Sequence, residues 1–175
     1  MFSKETSIAE KVKIEISGNR VKAEGPKGTL EKTFIIDKDM KIEKSENKVK
    51  VTSESESRTS KALVGTINAH IRNMIQGVTL GYTYRLRVIY SHFPVTVKVD
   101  KDKVLIQNFL GERTSRSGKI VGKTQVKVEG ADIVLTGIDV DEVSQTAGNI
   151  EQAARIVGYD KKVFQDGVYI VSKGE

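Results

Sequence analysis

The stretch SGKIVGKT, residues 117–124, places Gly122, Lys123 and Thr124 at the spacing of the phosphate-gripping loop G-x-x-x-x-G-K-[ST], with Ser117 where the first glycine belongs. Such a loop ends a strand, wraps phosphates in backbone N–H groups and starts a helix at its Lys-Ser/Thr pair. Here QVKVEGADIVLTG follows, alternating apolar and polar, with a turn at Glu129-Gly130-Ala131 and a second strand after it. No helix is expected at Lys123. The nearest thing to an Asp-ended apolar strand, IVLTGID, runs straight into a helix cap. The flanks therefore argue against nucleotide hydrolysis, which would predict saturable ATP or GTP binding abolished by Lys123→Ala.

The wider stretch GERTSRSGKIVGKTQVK suits a larger polyanion. Arg113, Arg116, Lys119, Lys123 and Lys127 fall within fifteen residues, opposed only by Glu112. Thr114, Ser115, Ser117 and Thr124 add hydroxyls, and Gly111, Gly118 and Gly122 allow close backbone approach. Lys and Arg beside small hydroxyl residues contact phosphates and sugars. A solvated basic loop is the alternative reading. His92, in YSHFP, is either a turn residue or a contact to base or phosphate beside Tyr90 and Phe93, since aromatic rings stack on unpaired bases. His70 flanks an apolar helical stripe and reads as a boundary residue. Asp139, Asp141 and Glu142 cluster where a helix begins, where its dipole favours negative charge, so capping is expected rather than acid–base chemistry. No Ser/His/Asp trio suggests itself, and two histidines without cysteine assemble no metal set at recognised spacing. No catalytic, metal or cofactor site is expected.

The elements that must carry these residues come from 175 residues, 38% of them hydrophobic. The absence of cysteine excludes a disulfide scaffold, Cys-ligated zinc and thiol catalysis. The start, MFSKETSIAEKVKI, does not read as a signal peptide, and no segment approaches the ~20 apolar residues of a membrane helix. A soluble cytoplasmic protein is expected. Net charge is +6, with a pI of about 9.4. Residues 83–127 hold ten Lys/Arg and three Asp/Glu, whereas 128–175 hold four and nine. Such segregation favours one basic face and a polyanionic partner.

The chain repeats itself at an offset of 83. VKIEISGNRVKAEGPKG, from Val12, lies over VTVKVDKDKVLIQNFLG, from Val95. Ile14 falls on Val97, Ile16 on Val99, Val21 on Val104 and Gly28 on Gly111. Further on, Val51 falls on Val134, Gly65 on Gly148, Ile67 on Ile150 and Arg72 on Arg155. Two similar domains follow, 1–82 and 83–175. Each opens with alternating strands, VKIEI and RVKAE around the turn Ser17-Gly18-Asn19, then LEKTFII and NKVKVTS. The period then turns helical. Leu63, Ile67, Ile71 and Met74 form one stripe, widened by Val64 and Ile75, capped by Ser55 or Ser57 and ended by Gly77. Val143, Ala147, Ile150, Ala154 and Val157 form the other, capped by Asp139 or Asp141 and ended by Gly158. Gly65 and Gly148 near the helix middles are expected to let helix backbone approach the sheet. YTYRLRVIY reads as a strand into the second domain, with Tyr82, Tyr84, Leu86, Val88 and Tyr90 on one face and Arg85 and Arg87 on the other. It leaves little linker, so a fairly fixed relation of the domains is expected. The fold class is α+β: two tandem domains, each a small, mostly antiparallel sheet with one helix on one face.

Three motifs then carry a family likeness. VKAEGPKGTL resembles a GPKG-L turn, VIYSHFP followed by NFLGER resembles the opening of a second domain, and FQDGVYIVSK resembles a C-terminal signature. Together, over nearly the full length, they resemble the universal large-subunit ribosomal protein family L-six in its archaeal and eukaryotic form. The resemblance implies a duplicated α+β fold and a structural, non-enzymatic role in translation. It implies binding to large-subunit rRNA near the sarcin–ricin loop, beside the docking site of translational GTPases at the stalk base. The implied partners are that rRNA and neighbouring stalk-base proteins, with no membrane, no small-molecule substrate and no obligate homo-oligomer. It implies that 83–175 makes most of the RNA contact. It also directs attention to the tail residues Tyr159, Lys161, Lys162, Asp166, Gly167 and Tyr169. The bacterial form's more basic, Gly-rich tail motif is absent here.

Overall fold

The computed structural model describes residues 2–36, 39–45, 47–160 and 162–174. Two compact units divide it, one ending at Gly81 and the next starting at Tyr82.

The first unit contains β1 (Phe2–Ser7), β2 (Lys13–Ser17), β3 (Arg20–Gly25), β4 (Gly28–Thr33), β5 (Met40–Ser45), β6 (Lys48–Ser53) and α1 (Arg58–Thr79). Two antiparallel sheets form, in the orders β2-β3-β4 and β1-β6-β5. Alternation decides the inner faces: Ile14, Val21, Ala23, Val49 and Val51 are buried with Val64, Ile67, Ile71, Met74 and Val78 of α1. Ser57 caps α1, its hydroxyl accepting from the Ser60 amide at 3.1 Å. The helix runs past Gly77, which is buried within it. It stops at Leu80, where Gly81 takes φ +73° and its amide reaches back to Gln76 O at 3.3 Å. The GPKG turn seals that end: the Lys27 amide donates to Val78 O at 2.9 Å and its ammonium to Leu80 O.

The second unit contains β7 (Tyr82–Ile89), β8 (Thr96–Asp100), β9 (Lys103–Gln107), a single 3-10 turn (Phe109–Gly111), β10 (Arg116–Lys119), β11 (Gln125–Glu129), β12 (Asp132–Gly137), α2 (Val140–Ala153) and β13 (Gly167–Lys173). Its sheets are β10-β9-β8 and β11-β12-β7-β13, again antiparallel. Tyr84, Leu86, Val88, Val104, Ile106, Ile133 and Leu135 pack with Val143, Ala147 and Ile150 of α2. Fully burying one such side chain contributes about 1.5–3 kcal/mol. Asp139 caps α2, accepting from the Asp141 amide at 3.0 Å.

The duplication is plain in the strand orders, but the single offset is not. It stays at 83 for β2 and β3 onto β8 and β9, and for the helices. Where Arg20 pairs Thr33, Lys103 pairs Lys119, so the β9–β10 connection is three residues longer. The turn Ser45–Lys48 corresponds to Glu129–Asp132, so β6 maps to β12 at 84. Val51 therefore matches Leu135 rather than Val134: Val51 and Leu135 are buried, while Val134 lies on the other face. The second unit also has a fourth strand, β13, beside β7, with no counterpart beside β1 among the described residues.

Other expectations need correction. Helix α2 ends at Ala153, not at Gly158, because Ala154 already leaves the helix; Val157 is exposed and off the stripe. Tyr90 lies beyond the end of β7 and is exposed. The helix glycines do not bring backbone to the sheet. A Cβ on Gly148 would meet nothing within 4 Å, and one on Gly65 only the Lys4 ammonium at 3.7 Å. The close approach is made from the strand side, where a Cβ on Gly118 of β10 would lie 2.9 Å from Ile150 Cα.

Candidate nucleic-acid interface

The stretch that mimics a phosphate loop is folded against α2. Ser117, Gly118 and Lys119 belong to β10, and Gln125 begins β11. The amides between them are occupied from the helix: Val121 N–H donates to Thr146 Oγ1 at 3.0 Å and Lys123 N–H to Glu142 Oε2 at 3.0 Å. Thr124 is buried and its hydroxyl donates to Val121 O at 2.9 Å. Gly122 takes φ +59°, and the Glu142 carboxylate sits against its open side. The chain's own carboxylate thus lies where a nucleotide phosphate would have to lie, and a strand follows Thr124 as its alternating pattern predicts.

Arg116 is equally committed. Its Nε and Nη2 grip the Glu112 carboxylate at 2.8 and 2.5 Å, and Nη1 donates to Ala153 O and Arg155 O at 3.2 and 2.8 Å. Its guanidinium lies 4.6 Å from the centre of the buried Phe109 ring. The Arg116 bond holds the Glu112 carboxyl below the ordinary range. A cation from the third hairpin strand or its turn thus seals the helix C-terminus in both units, Lys27 in one and Arg116 in the other.

The remaining cations face outward. Gly118 points at α2, so its neighbours Ser117 and Lys119 point away, and both are exposed. The register sets Lys119 opposite Lys103 and Ser117 opposite Leu105, with Asp100 and Lys98 continuing those rows on β8. Like charges directly opposite each other destabilise a strand pair. Lys98, Lys103 and Lys119 have no ion-pair partner among the described residues. Lys98 and Lys103 were not among the sequence-derived candidates, because their shared face with Lys119 depends on strand register. Their alternation with inward Val97, Val104 and Ile106, at odd spacings along the strands, is the signal that could have revealed them. Arg113, Thr114, Lys123 and Lys127 are exposed as well.

On the outer face of the four-stranded sheet, Arg87 makes a bidentate pair with Asp132 at 2.8 and 3.2 Å, and Arg85 stands beside it. That pair raises the Arg87 pKa and lowers that of Asp132.

The candidates near residue 92 and in the tail meet around Asp166, which is buried. Its Oδ1 accepts from Ser91 Oγ at 2.9 Å, Ser91 N–H at 3.3 Å and His92 Nδ1 at 3.3 Å. Burial raises its pKa, but the Ser91 and His92 hydrogen bonds outweigh burial and hold the carboxyl below the usual aspartate range. Ser91, His92 and Asp166 are thus brought together, which the sequence did not suggest. The set is not a nucleophilic triad, because Ser91 and Asp166 meet the same ring nitrogen, Nδ1, whereas catalysis needs serine at the other one. His92 stacks on Phe164 with ring centres 4.7 Å apart, and Tyr159 tilts against Phe164 at the same separation. Tyr169 OH donates to Gln165 O at 3.2 Å, and its ring lies over Gly167. The Lys162 side chain is exposed, and Lys161 lies outside the described residues. His70 lies 6.0 Å from the Phe34 ring, in the boundary position expected. Among the described residues no group of three metal-ligating side chains assembles, and no helix is long and apolar enough to cross a membrane.

Fold and site together define a duplicated α+β protein that presents a cation-rich sheet face. The family model for ribosomal protein L6 matches the chain twice, over residues 8–81 and 93–167. The chain is 47% identical to large ribosomal subunit protein uL6 of Desulfurococcus amylolyticus, over 99% of this chain and 95% of that one. It is 48% identical to the uL6 protein of Staphylothermus marinus (98% and 94% covered) and 47% to that of Methanothrix thermoacetophila (95% and 94%). The chain belongs to the ribosomal protein L6 family.

Proposed function

We propose that the chain is a large-subunit ribosomal protein, not an enzyme, whose second unit holds rRNA near the sarcin–ricin loop, beside the GTPase docking site at the stalk base. Its partners are that rRNA and the neighbouring stalk-base proteins. The relatives' shared name, large ribosomal subunit protein uL6, supports the assignment to the subunit. The observation that carries RNA contact is the outward Lys98–Lys103–Lys119 face, where Lys103 stands directly opposite Lys119 on one side and a single carboxylate, Asp100, on the other. A phosphate beside the Lys103–Lys119 pair turns that local repulsion into attraction. Arg113, Thr114, Ser117, Lys123 and Lys127 extend the same contact, with Arg85, Tyr90, Tyr159, Lys161 and Lys162 as further contacts. Arg116 and Arg87 act through their ion pairs, shaping the surface instead of neutralising phosphate. His92, Gly111, Gly167 and Tyr169 set the form of the adjoining turns.

The test is a salt titration of the chain against a large-subunit rRNA fragment carrying the sarcin–ricin stem-loop. Lys98→Ala, Lys103→Ala and Lys119→Ala should each lower the slope of log K against log salt by about 0.7–0.9. Slopes unchanged in all three would overturn the assignment of this face.

A further inference from the structure

Resting on the RNA-binding reading above, we infer that the cavity at the C-terminal end of α2 takes an unpaired guanine base of the bound RNA. The cavity measures about 270 Å³, room for one purine, and Glu151, Arg155, Phe164, Asp166 and Tyr169 line it. Proteins read RNA sequence mainly through unstacked bases laid on aromatic rings and bonded along their edges. Phe164 supplies such a ring, and it is held in place by His92 stacked on it and Tyr159 tilted against it. Tyr169, partly exposed, supplies a second aromatic wall.

The polar groups select base over phosphate. Two carboxylates and one guanidinium line the cavity, so a phosphate would meet net repulsion. Glu151 holds the Ile170 amide with Oε1 alone, at 3.4 Å. Asp166 is buried, yet its Oδ2 has no hydrogen-bond partner among the described residues. The Asp166 side chain is wholly enclosed, so its charge acts from within the cavity wall and favours a donor-bearing ligand edge, which the second Glu151 oxygen can accept. Guanine is the base that offers two adjacent donors, N1–H and N2–H, on one edge, and acceptors O6 and N7 that match an arginine. Arg155 supplies that arginine, and Lys162 nearby is exposed for the flanking phosphate. The aromatic support comes from residues 72 positions apart in sequence, which is why the sequence did not disclose it.

The test uses the full chain and fluorescein-labelled octaribonucleotides: all-uridine, and the same octamer with one central guanosine, adenosine or cytidine. At fixed salt the guanosine octamer should bind about tenfold tighter than all-uridine, the scale of one base–aromatic stack. Phe164→Leu and, independently, Tyr169→Ala should reduce that preference below twofold while thermal unfolding remains cooperative. Tyr169→Ala alone decides the matter if Phe164→Leu does not fold. Equal binding of the four octamers, adenosine binding as tightly as guanosine, or a preference surviving in the folded variants would overturn the inference. So would failure of every octamer to bind, because all walls of the cavity belong to this chain. Failure of the RNA-binding reading shows elsewhere, as loss of salt-dependent binding to the rRNA fragment.

Discussion

Residue types in 113–127 announce a basic stretch, but only geometry separates the free cations from the committed ones. Arg116 and Lys119 look alike in sequence. Arg116 spends its donors on Glu112 and on the carbonyls of Ala153 and Arg155, whereas Lys119 faces outward. Its carbonyl partners lie 37 and 39 residues away, beyond any local pattern. Arg116→Lys should therefore destabilise the fold by about 1–3 kcal/mol in urea denaturation, because a lysine cannot reproduce the planar fork. It should leave the salt slope of RNA binding unchanged, whereas Lys119→Ala should lower the slope and leave stability within about 0.5 kcal/mol. Asp166 gives a second residue-scale expectation. Its folded pKa is depressed, so its contribution to stability is complete above the ordinary value of 3.8 and is lost as pH falls through the lower, folded value. Asp166→Asn should flatten the stability curve in that acid range, measured by denaturation between pH 5 and the acid limit of folding.

At the scale of elements, period and caps were legible where a face is strongly apolar: β2, β3, β7 and both helix starts fall where alternation and Ser57 or Asp139 place them. β1 was not legible, because FSKETS buries only Thr6, half-buries Phe2 and is otherwise polar and exposed. β13 is not legible locally because it depends on pairing with β7, 78 to 89 residues away by register. The helix glycines misled, since their spacing suggests close packing that Gly118 provides. Two substitutions separate these readings in sign. Gly118→Ala forces a Cβ against Ile150 backbone and should cost about 1–3 kcal/mol. Gly148→Ala meets nothing within 4 Å and should stabilise by about 0.5–1 kcal/mol. Thermal and urea unfolding of the two variants would check both signs.

For the whole molecule, duplication was the most legible feature, because the hydrophobic pattern is preserved from copy to copy even where the offset slips from 83 to 84 and 86. What the copies do not share is informative. The longer β9–β10 connection and the fourth strand belong to the second unit, as do the Lys98–Lys103–Lys119 face and the aromatic knot around Asp166. RNA contact is therefore proposed to fall chiefly on that unit. The most direct measurement is ultraviolet crosslinking of assembled large subunits, with the attached peptides mapped by mass spectrometry and the attached RNA sequenced. Adducts on peptides spanning residues 98–127, joined to rRNA around the sarcin–ricin loop, are the predicted result. Adducts confined to residues 2–81, or joined to rRNA remote from that loop, would contradict it.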